Sequence, residues 1–420
     1  MNHLHRIDGR LFLEEVSLED LAREYGTPLY VYSQAALTES FQSYERALAG
    51  LPHLICYAVK ANGNLAILQH FARLGAGFDI VSGGELARVI KAGGQGSRIV
   101  FSGVGKTEPE MRAALDVGIR CFNVESESEL ARLSRVAKEM GKIAPVSFRV
   151  NPDVDPKTHP YISTGLKQNK FGIPIDQAQK LYQQAADMPG IEVVGVDCHI
   201  GSQLIDLTPI ADALDRVLNL VDALKALGIE LRHIDIGGGI GIRYRDETPP
   251  DMAAYRAILL SRFKGRSQEI IVEPGRSLVG NAGLLLTRVE YVKSGDSKNF
   301  VVVDAAMNDL MRPALYDAFH DIVPVLDSGD LGMTCDVVGP VCETGDFIGL
   351  ERSLAVKEGS LLAVLSAGAY GMSMSSNYNS RPRAAELLLN KNEIRLIRER
   401  ESIEGLMAGE RLVYWLSEVV

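Results

Sequence analysis

Apolar residues gather into short runs at fairly regular intervals after residue 50: 54–60, 78–82, 98–102, 119–124, 145–150, 193–199, 233–236 and 270–273. Runs this short and this continuous predict strands buried on both faces. Between most of them lie segments with helical spacing, at 65–74, 84–92, 108–117, 126–140, 174–186, 209–227 and 252–263. Strand–helix alternation predicts parallel strands joined by crossovers. Eight repeats over roughly 220 residues predict a closed, TIM-like (β/α)8 barrel, with an open doubly wound sheet as the competing topology.

The pattern changes after residue 283. Runs at 284–292, 300–304, 334–338 and 360–365 follow one another without long helical spacers, separated by turn signals such as Ser294-Gly295-Asp296 and Asp327-Ser328-Gly329-Asp330. This predicts an all-β domain, a small barrel or sandwich. Residues 11–13 and 29–32 also read as strands and are expected to join that domain. The expected organisation is therefore 1–34 for N-terminal strands, 35–278 for the barrel and 279–420 for the β-domain.

Composition narrows the class. A chain of 420 residues is too long for one core. Hydrophobic content of 46% with 23% charged residues describes an ordinary globular protein. A net charge of −10 without a basic run excludes a nucleic-acid or anionic-membrane surface. No apolar stretch approaches a bilayer span, and residues 1–15 lack a signal-peptide core. Five cysteines without zinc-ligand spacing predict free thiols in a reducing cytoplasm.

Candidate chemistry collects where the barrel strands end, the face that carries function in this fold. Lys60 closes the run Tyr57-Ala58-Val59-Lys60. It reads either as a surface lysine or as a Schiff-base lysine whose surroundings lower its pKa. His199 is either a satisfied core histidine or a planar ring stacked on an aromatic ligand; no paired histidine spacing supports a metal. Gly237-Gly238-Gly239 follows a strand, so it forms either a tight turn or a cradle of backbone N–H groups for an anion. It does not match the dinucleotide fingerprint. Glu273 is costly to bury alone. Arg276 could pair with it, or its carboxylate could hold a proton on a heteroaromatic nitrogen.

In order and spacing these motifs resemble the fold-type III pyridoxal-phosphate decarboxylases. The likeness runs from about residue 25 to 390. It passes through Tyr57-Ala58-Val59-Lys60-Ala61-Asn62, Asp79-Ile80-Val81-Ser82-Gly83-Gly84-Glu85, Asn169-Lys170-Phe171-Gly172 and His199-Ile200-Gly201-Ser202-Gln203. It continues through the triple glycine, Glu273-Pro274-Gly275-Arg276, Arg312-Pro313-Ala314-Leu315-Tyr316, Cys342-Glu343-Thr344-Gly345-Asp346 and Ala367-Gly368-Ala369-Tyr370-Gly371. The family often has Asp where this chain has Ser366, which leaves Tyr370 in register.

The resemblance implies pyridoxal 5′-phosphate bound covalently by Lys60, with His199 against the ring and Glu273 at the pyridine nitrogen. Asp79, Ser202, Gly238, Gly239 and Tyr370 are implied as further cofactor contacts. Arg276, Arg312, Tyr316, Glu343 and Tyr370 are implied as substrate contacts, with Lys60, His199 and Cys342 catalytic. It further implies a homodimer in which Cys342 and Glu343 are delivered across the interface. A carboxylate at the ring nitrogen favours decarboxylation over racemisation. Two arginines suit a small-molecule substrate with a second carboxylate, meso-2,6-diaminopimelate. Another family decarboxylase, acting on arginine, ornithine or carboxynorspermidine, and a non-catalytic cofactor-binding protein are the alternatives.

Overall fold

The computed structural model describes residues 1–154 and 170–413. Two compact units divide the chain. The first takes in Met1–Asn2, Ser33–Gly283 and the short return Gly368–Ser373. The second takes in His3–Tyr32, Leu284–Ala367 and residue 374 onward.

The first unit is a closed parallel barrel. Its strands are β1 (His53–Ala58), β2 (Gly77–Ile80), β3 (Ile99–Phe101), β4 (Cys121–Val124), β5 (Ala144–Asn151), β6 (Ile191–Asp197), β7 (His233–Asp235) and β8 (Glu269–Val272). Each pairs with the next in parallel register, and β8 returns to β1 through Val272 opposite Ile55. The open-sheet alternative is thereby excluded. Leu54, Cys56, Val100, Cys121, Val194 and Ile271 form one buried cluster among the barrel strands. Such burial on both faces explains why the strands read as unbroken apolar runs.

Local chemistry sets the crossover helices. Ser82, Ser126 and Asp251 each accept a backbone N–H at a helix start, from Glu85, Glu129 and Ala253 respectively. Thr107 and Glu110 form a reciprocal capping box. The hydrophobic pattern gave no separate place to the helix Gln34–Leu48, which precedes β1. Its N-cap Ser33 and its buried Leu37, Phe41, Tyr44 and Leu48 mark it out. It packs against Met252–Phe263, with Tyr44 and Tyr255 edge to face at 6.5 Å.

The second unit is built on a sheet whose order, from one edge, is Phe347–Leu354, Met333–Val338, Phe300–Val303, Gly283–Lys293, Leu29–Ser33, Ala385–Asn390 and Glu393–Arg398. Leu361–Val364 branches from Gly283–Lys293 and also pairs with Ile322–Pro324. The N-terminal strand Leu29–Ser33 thus lies inside the sheet. Its tyrosines are fully buried, with Tyr30 donating to the Asp309 carbonyl and Tyr32 to Glu386, both at 2.7 Å. Leu4–Ile7, Arg10–Leu13 and Val16–Ser17 form a separate small antiparallel sheet. No described helix is long and apolar enough to cross a membrane.

Candidate active site

Seven of the expected site residues line one cavity at the strand C-termini of the barrel: Lys60, His199, Ser202, Gly239, Glu273, Arg276 and Tyr370. Its empty volume is about 320 Å³. A wider groove, of about 1730 Å³ empty volume, lies in the β unit among Glu19, Arg23, Arg288, Leu331 and Lys357. The smaller barrel cavity carries the chemistry.

Lys60 sits on a single 3-10 turn immediately after β1. Its Nζ donates to Asp79 Oδ2 at 2.7 Å, from the end of β2. Asp79 is wholly buried, and its Oδ1 has no hydrogen-bond partner among the described residues. Burial works against the lysine charge, but the carboxylates of Asp79 and Glu273 outweigh it and hold Lys60 above its ordinary value. The expected depression of Lys60 is therefore overturned for the cofactor-free chain. A free amine requires that the Asp79 pairing be relieved.

His199 follows β6, half-buried. Its Nδ1 accepts the Gly238 N–H at 3.2 Å, which places any ring proton of the neutral form on Nε2. Burial, then Arg149 and Lys60, push its pKa well down, so the imidazole is neutral at pH 7. The triple glycine is shaped by close approach. A Cβ at Gly237 would meet His199 Nδ1 at 2.6 Å, one at Gly238 the Glu273 carbonyl at 2.3 Å, and one at Gly239 the Gly201 carbonyl at 2.7 Å. Gly237 and Gly239 also have positive φ. Two of the three amides are used internally: Gly237 donates to Asp235 Oδ1 and Gly238 to His199. Among the described residues the Gly239 N–H alone of the three makes no such bond. The expectation of a run of amides facing an anion narrows to that one.

Glu273 lies just beyond β8, 6% exposed. Its Oε1 is reached only weakly, by Ser102 Oγ at 3.4 Å and Asn123 Nδ2 at 3.5 Å. Arg276 does not pair with it. The guanidinium instead donates to Ser202 Oγ at 3.1 and 3.2 Å and to the Tyr244 hydroxyl at 2.7 Å, and lies 5.0 Å from the Tyr370 ring centroid. Tyr370 belongs to the barrel unit through the return Gly368–Ser373, and its N–H donates to the Ala61 carbonyl at 2.8 Å.

The remaining expected residues lie in the β unit. Arg312 is buried on the short helix Arg312–Tyr316 and donates to His320 Nε2 at 2.8 Å, with Tyr316 half-buried at the end of the helix. Cys342 and Glu343 form an exposed corner after Met333–Val338. The Cys342 N–H donates to Asn379 Oδ1 at 2.9 Å, and the Tyr378 hydroxyl donates to Glu343 at 2.5 Å. Buried Asp346 fixes the corner from behind by accepting the Met307 and Val341 N–H groups at 2.7 Å. Of the motif Asn169-Lys170-Phe171-Gly172, Asn169 lies outside the described residues. Sequence reading passed over Asp197, Asp235, Arg149, Tyr244, Tyr378 and Asn379. The available signal was an acid ending an apolar strand, as in Val196-Asp197 and Ile234-Asp235-Ile236.

A half-exposed lysine, a neutral imidazole, a glycine cradle closed to any Cβ and a buried carboxylate at one rim fit pyridoxal 5′-phosphate. The chain belongs to the pyridoxal-dependent decarboxylases: the family's pyridoxal-binding domain matches residues 34–280. It is an enzyme, a carboxy-lyase dependent on pyridoxal phosphate. It is 60% identical over 400 residues to the diaminopimelate decarboxylase of Neisseria meningitidis serogroup B, covering 95% of this chain and 97% of that protein. The crystal structure of diaminopimelate decarboxylase from M. jannaschii matches with a TM-score of 0.94 at 40% identity, covering 99% of each chain. That from Helicobacter pylori, complexed with L-lysine, matches with a TM-score of 0.90 at 45% identity, covering 93% of this chain and 98% of that one.

Proposed function

We infer that this chain removes CO2 from meso-2,6-diaminopimelate to yield L-lysine, the last step of lysine biosynthesis. The observation that carries this reading is the convergence of Lys60, His199 and Glu273 in one buried cavity of a barrel whose relatives are diaminopimelate decarboxylases. Bound pyridoxal phosphate supplies the electron sink that an amino acid losing CO2 requires. Lys60 would hold the cofactor aldehyde, with Asp79 steering the lysine amine. His199, neutral, would lie against the ring. Glu273 would keep the ring nitrogen protonated, because an adjacent carboxylate favours the protonated form. Gly239 would offer its N–H to the phosphate, with Ser202 and Tyr370 beside it, while Gly238 acts by fixing His199.

Arg276 is preset for a substrate carboxylate, since Ser202, Tyr244 and Tyr370 hold its guanidinium in one orientation. Arg312, Tyr316 and Tyr370 are proposed as further substrate contacts, Glu343 as the partner of the distal ammonium, and Cys342 as the proton donor to the reacting carbon. The exposure of the Cys342–Glu343 corner supports a twofold homodimer in which that corner serves the partner's site. Free thiols at all five cysteines suit a reducing cytoplasm.

The test is an absorbance spectrum and product assay on purified, cofactor-loaded protein. L-lysine and CO2 should form from meso-diaminopimelate, with no amine product from arginine or ornithine. A bound cofactor without lysine release overturns the substrate.

A further inference from the structure

The barrel rim holds more carboxylates than its cations can balance. Asp197 ends β6, Asp235 ends β7 and Glu273 follows β8; one oxygen from each lies within 4.8 Å of the others. Their residues are 1%, 0% and 6% exposed. Asp79 adds a fourth carboxylate from β2, and Glu125 a fifth just past β4. Among the described residues two cations face them, a third, buried Lys106, being taken up by Glu129 at 2.8 Å. Lys60 is already committed to Asp79 at 2.7 Å. Arg149 on β5 stands 4.0 Å from Asp197 and 3.6 Å from Glu125. The other titratable groups nearby do not help: burial first of all keeps His199 and His233 neutral and the Cys56 and Cys121 thiols protonated. Two cations leave this cluster short of positive charge, and burial first, then mutual repulsion, raises Asp197, Asp235 and Glu273 toward their protonated forms. A proton held among them offsets that shortage.

The hydrogen bonds indicate where. Asp235 Oδ1 accepts the Gly237 N–H at 2.8 Å, while its Oδ2, wholly buried, has no hydrogen-bond partner among the described residues. Glu273 is within hydrogen-bonding reach of Asp235, and its other polar neighbours are 3.4 and 3.5 Å away. Both oxygens of Asp197 also lack hydrogen-bond partners, and its ion pair with Arg149 is long.

We propose that Asp235 is a positioning residue whose Oδ2 carries a proton shared with Glu273, so that the two act as one carboxyl–carboxylate pair holding Glu273 toward the cofactor's ring nitrogen. It rests on the reading of Glu273 given above. Burial, then the charge of Asp79, pushes the Asp235 carboxyl up to about 7 against the opposing Gly237 N–H, and burial with the Asp235 charge raises Glu273 as well. The pair titrates as a unit. Through Gly237, Asp235 also ties the pair to the glycine loop.

Asp235→Asn keeps an acceptor for Gly237 and a donor for Glu273 but removes the titration; Asp235→Leu removes all three. The first measurement is Tm against pH on the full chain stripped of cofactor. Asp235 is raised in the folded state, so the folded chain retains a proton that the unfolded chain releases above about pH 4. The stability this contributes is lost as pH rises toward about 7. The Tm of Asp235→Asn minus that of wild type should therefore climb between about pH 4 and 7 and level off above that. A flat difference overturns the proposal. So does a rise in wild-type Tm on adding Mg2+ that Asp235→Asn abolishes, because a cation rather than a proton would then neutralise the cluster.

The second measurement is pyridoxal phosphate affinity at pH 7. Asp235→Asn should stay within about threefold of wild type, while Asp235→Leu should bind at least about tenfold more weakly. Equal loss in both overturns the proposal, because the charge and not the proton would then matter. If Asp235→Leu does not fold, the Tm series on Asp235→Asn decides. Glu273→Gln is the control for the underlying reading. Unchanged cofactor affinity and absorbance there would remove Glu273 from the ring nitrogen, whereas the cofactor-free Tm series would still decide the shared proton.

Discussion

The rim around Lys60 and the corner around Cys342 are built on opposite principles. At the rim, Asp79, Asp197, Asp235 and Glu273 are withdrawn from water and crowd one another, so their charge states are set by the fold itself. At the corner, Cys342 and Glu343 face solvent; Asn379 and Asp346 fix the backbone, and the Tyr378 hydroxyl holds the Glu343 side chain. A buried site carries its electrostatics with it, because low dielectric makes each neighbour count. An exposed corner acquires its electrostatics from whatever covers it. The same carboxylate chemistry therefore means different things at Glu273 and at Glu343.

The largest effect that would break this contrast is at Lys60. Lys60→Ala should abolish turnover and the visible absorbance of bound cofactor near ~420 nm, since among the described residues no other lysine lines the cavity. A borohydride-fixable adduct persisting in that variant would show that another amine serves. The corner should behave differently, as a part exchanged between chains. Lys60→Ala and Cys342→Ala should each be nearly inactive alone and recover activity when mixed under subunit exchange. Random assortment makes half the dimers mixed, with one intact site in each, so the ceiling is about a quarter of wild-type sites. No recovery, with exchange confirmed by mass, would place both residues in one subunit's site. The smallest effect should come from Tyr378, whose hydroxyl orients Glu343 in water. Tyr378→Phe should raise KM for diaminopimelate about threefold with kcat unchanged, as for one solvent-exposed hydrogen bond. A fall in kcat instead would tie Tyr378 to the proton transfer through Cys342.

The two regions also differ in how far they could be read from the chain. The barrel is legible because both faces of its strands are buried and its helices begin at side-chain caps. Lys60, His199, Gly239 and Glu273 stand out because each ends or follows an apolar run. The β unit is less so. Phe347–Leu354 alternates poorly, with neighbours Ile348 and Gly349 both buried and neighbours Leu350 and Glu351 both exposed, and its pairing with Met333–Val338 carries two register shifts. Ala385–Asn390 reads Ala-Glu-Leu-Leu-Leu-Asn, strong helix formers held as a strand by its neighbours. Asp197 and Asp235 escaped notice for another reason. A single acid at a strand end looks ordinary until the closure of the barrel brings three together.

The return Gly368–Ser373 has a consequence for how the protein is made. The Gly368 N–H bonds the Gly280 carbonyl at 3.1 Å, and Asn62 Nδ2 donates to the Gly368 carbonyl at 3.3 Å across 306 positions of sequence. A nascent chain that has just emerged through β8 therefore carries all eight strands yet an unfinished rim, without Tyr370 behind Arg276. Synthesis must run on through most of the β unit before that gap is filled. The lining of the barrel cavity is thereby completed only when most of the polypeptide has been translated, and a fragment ending at residue 280 would be a barrel lacking a piece of its own wall.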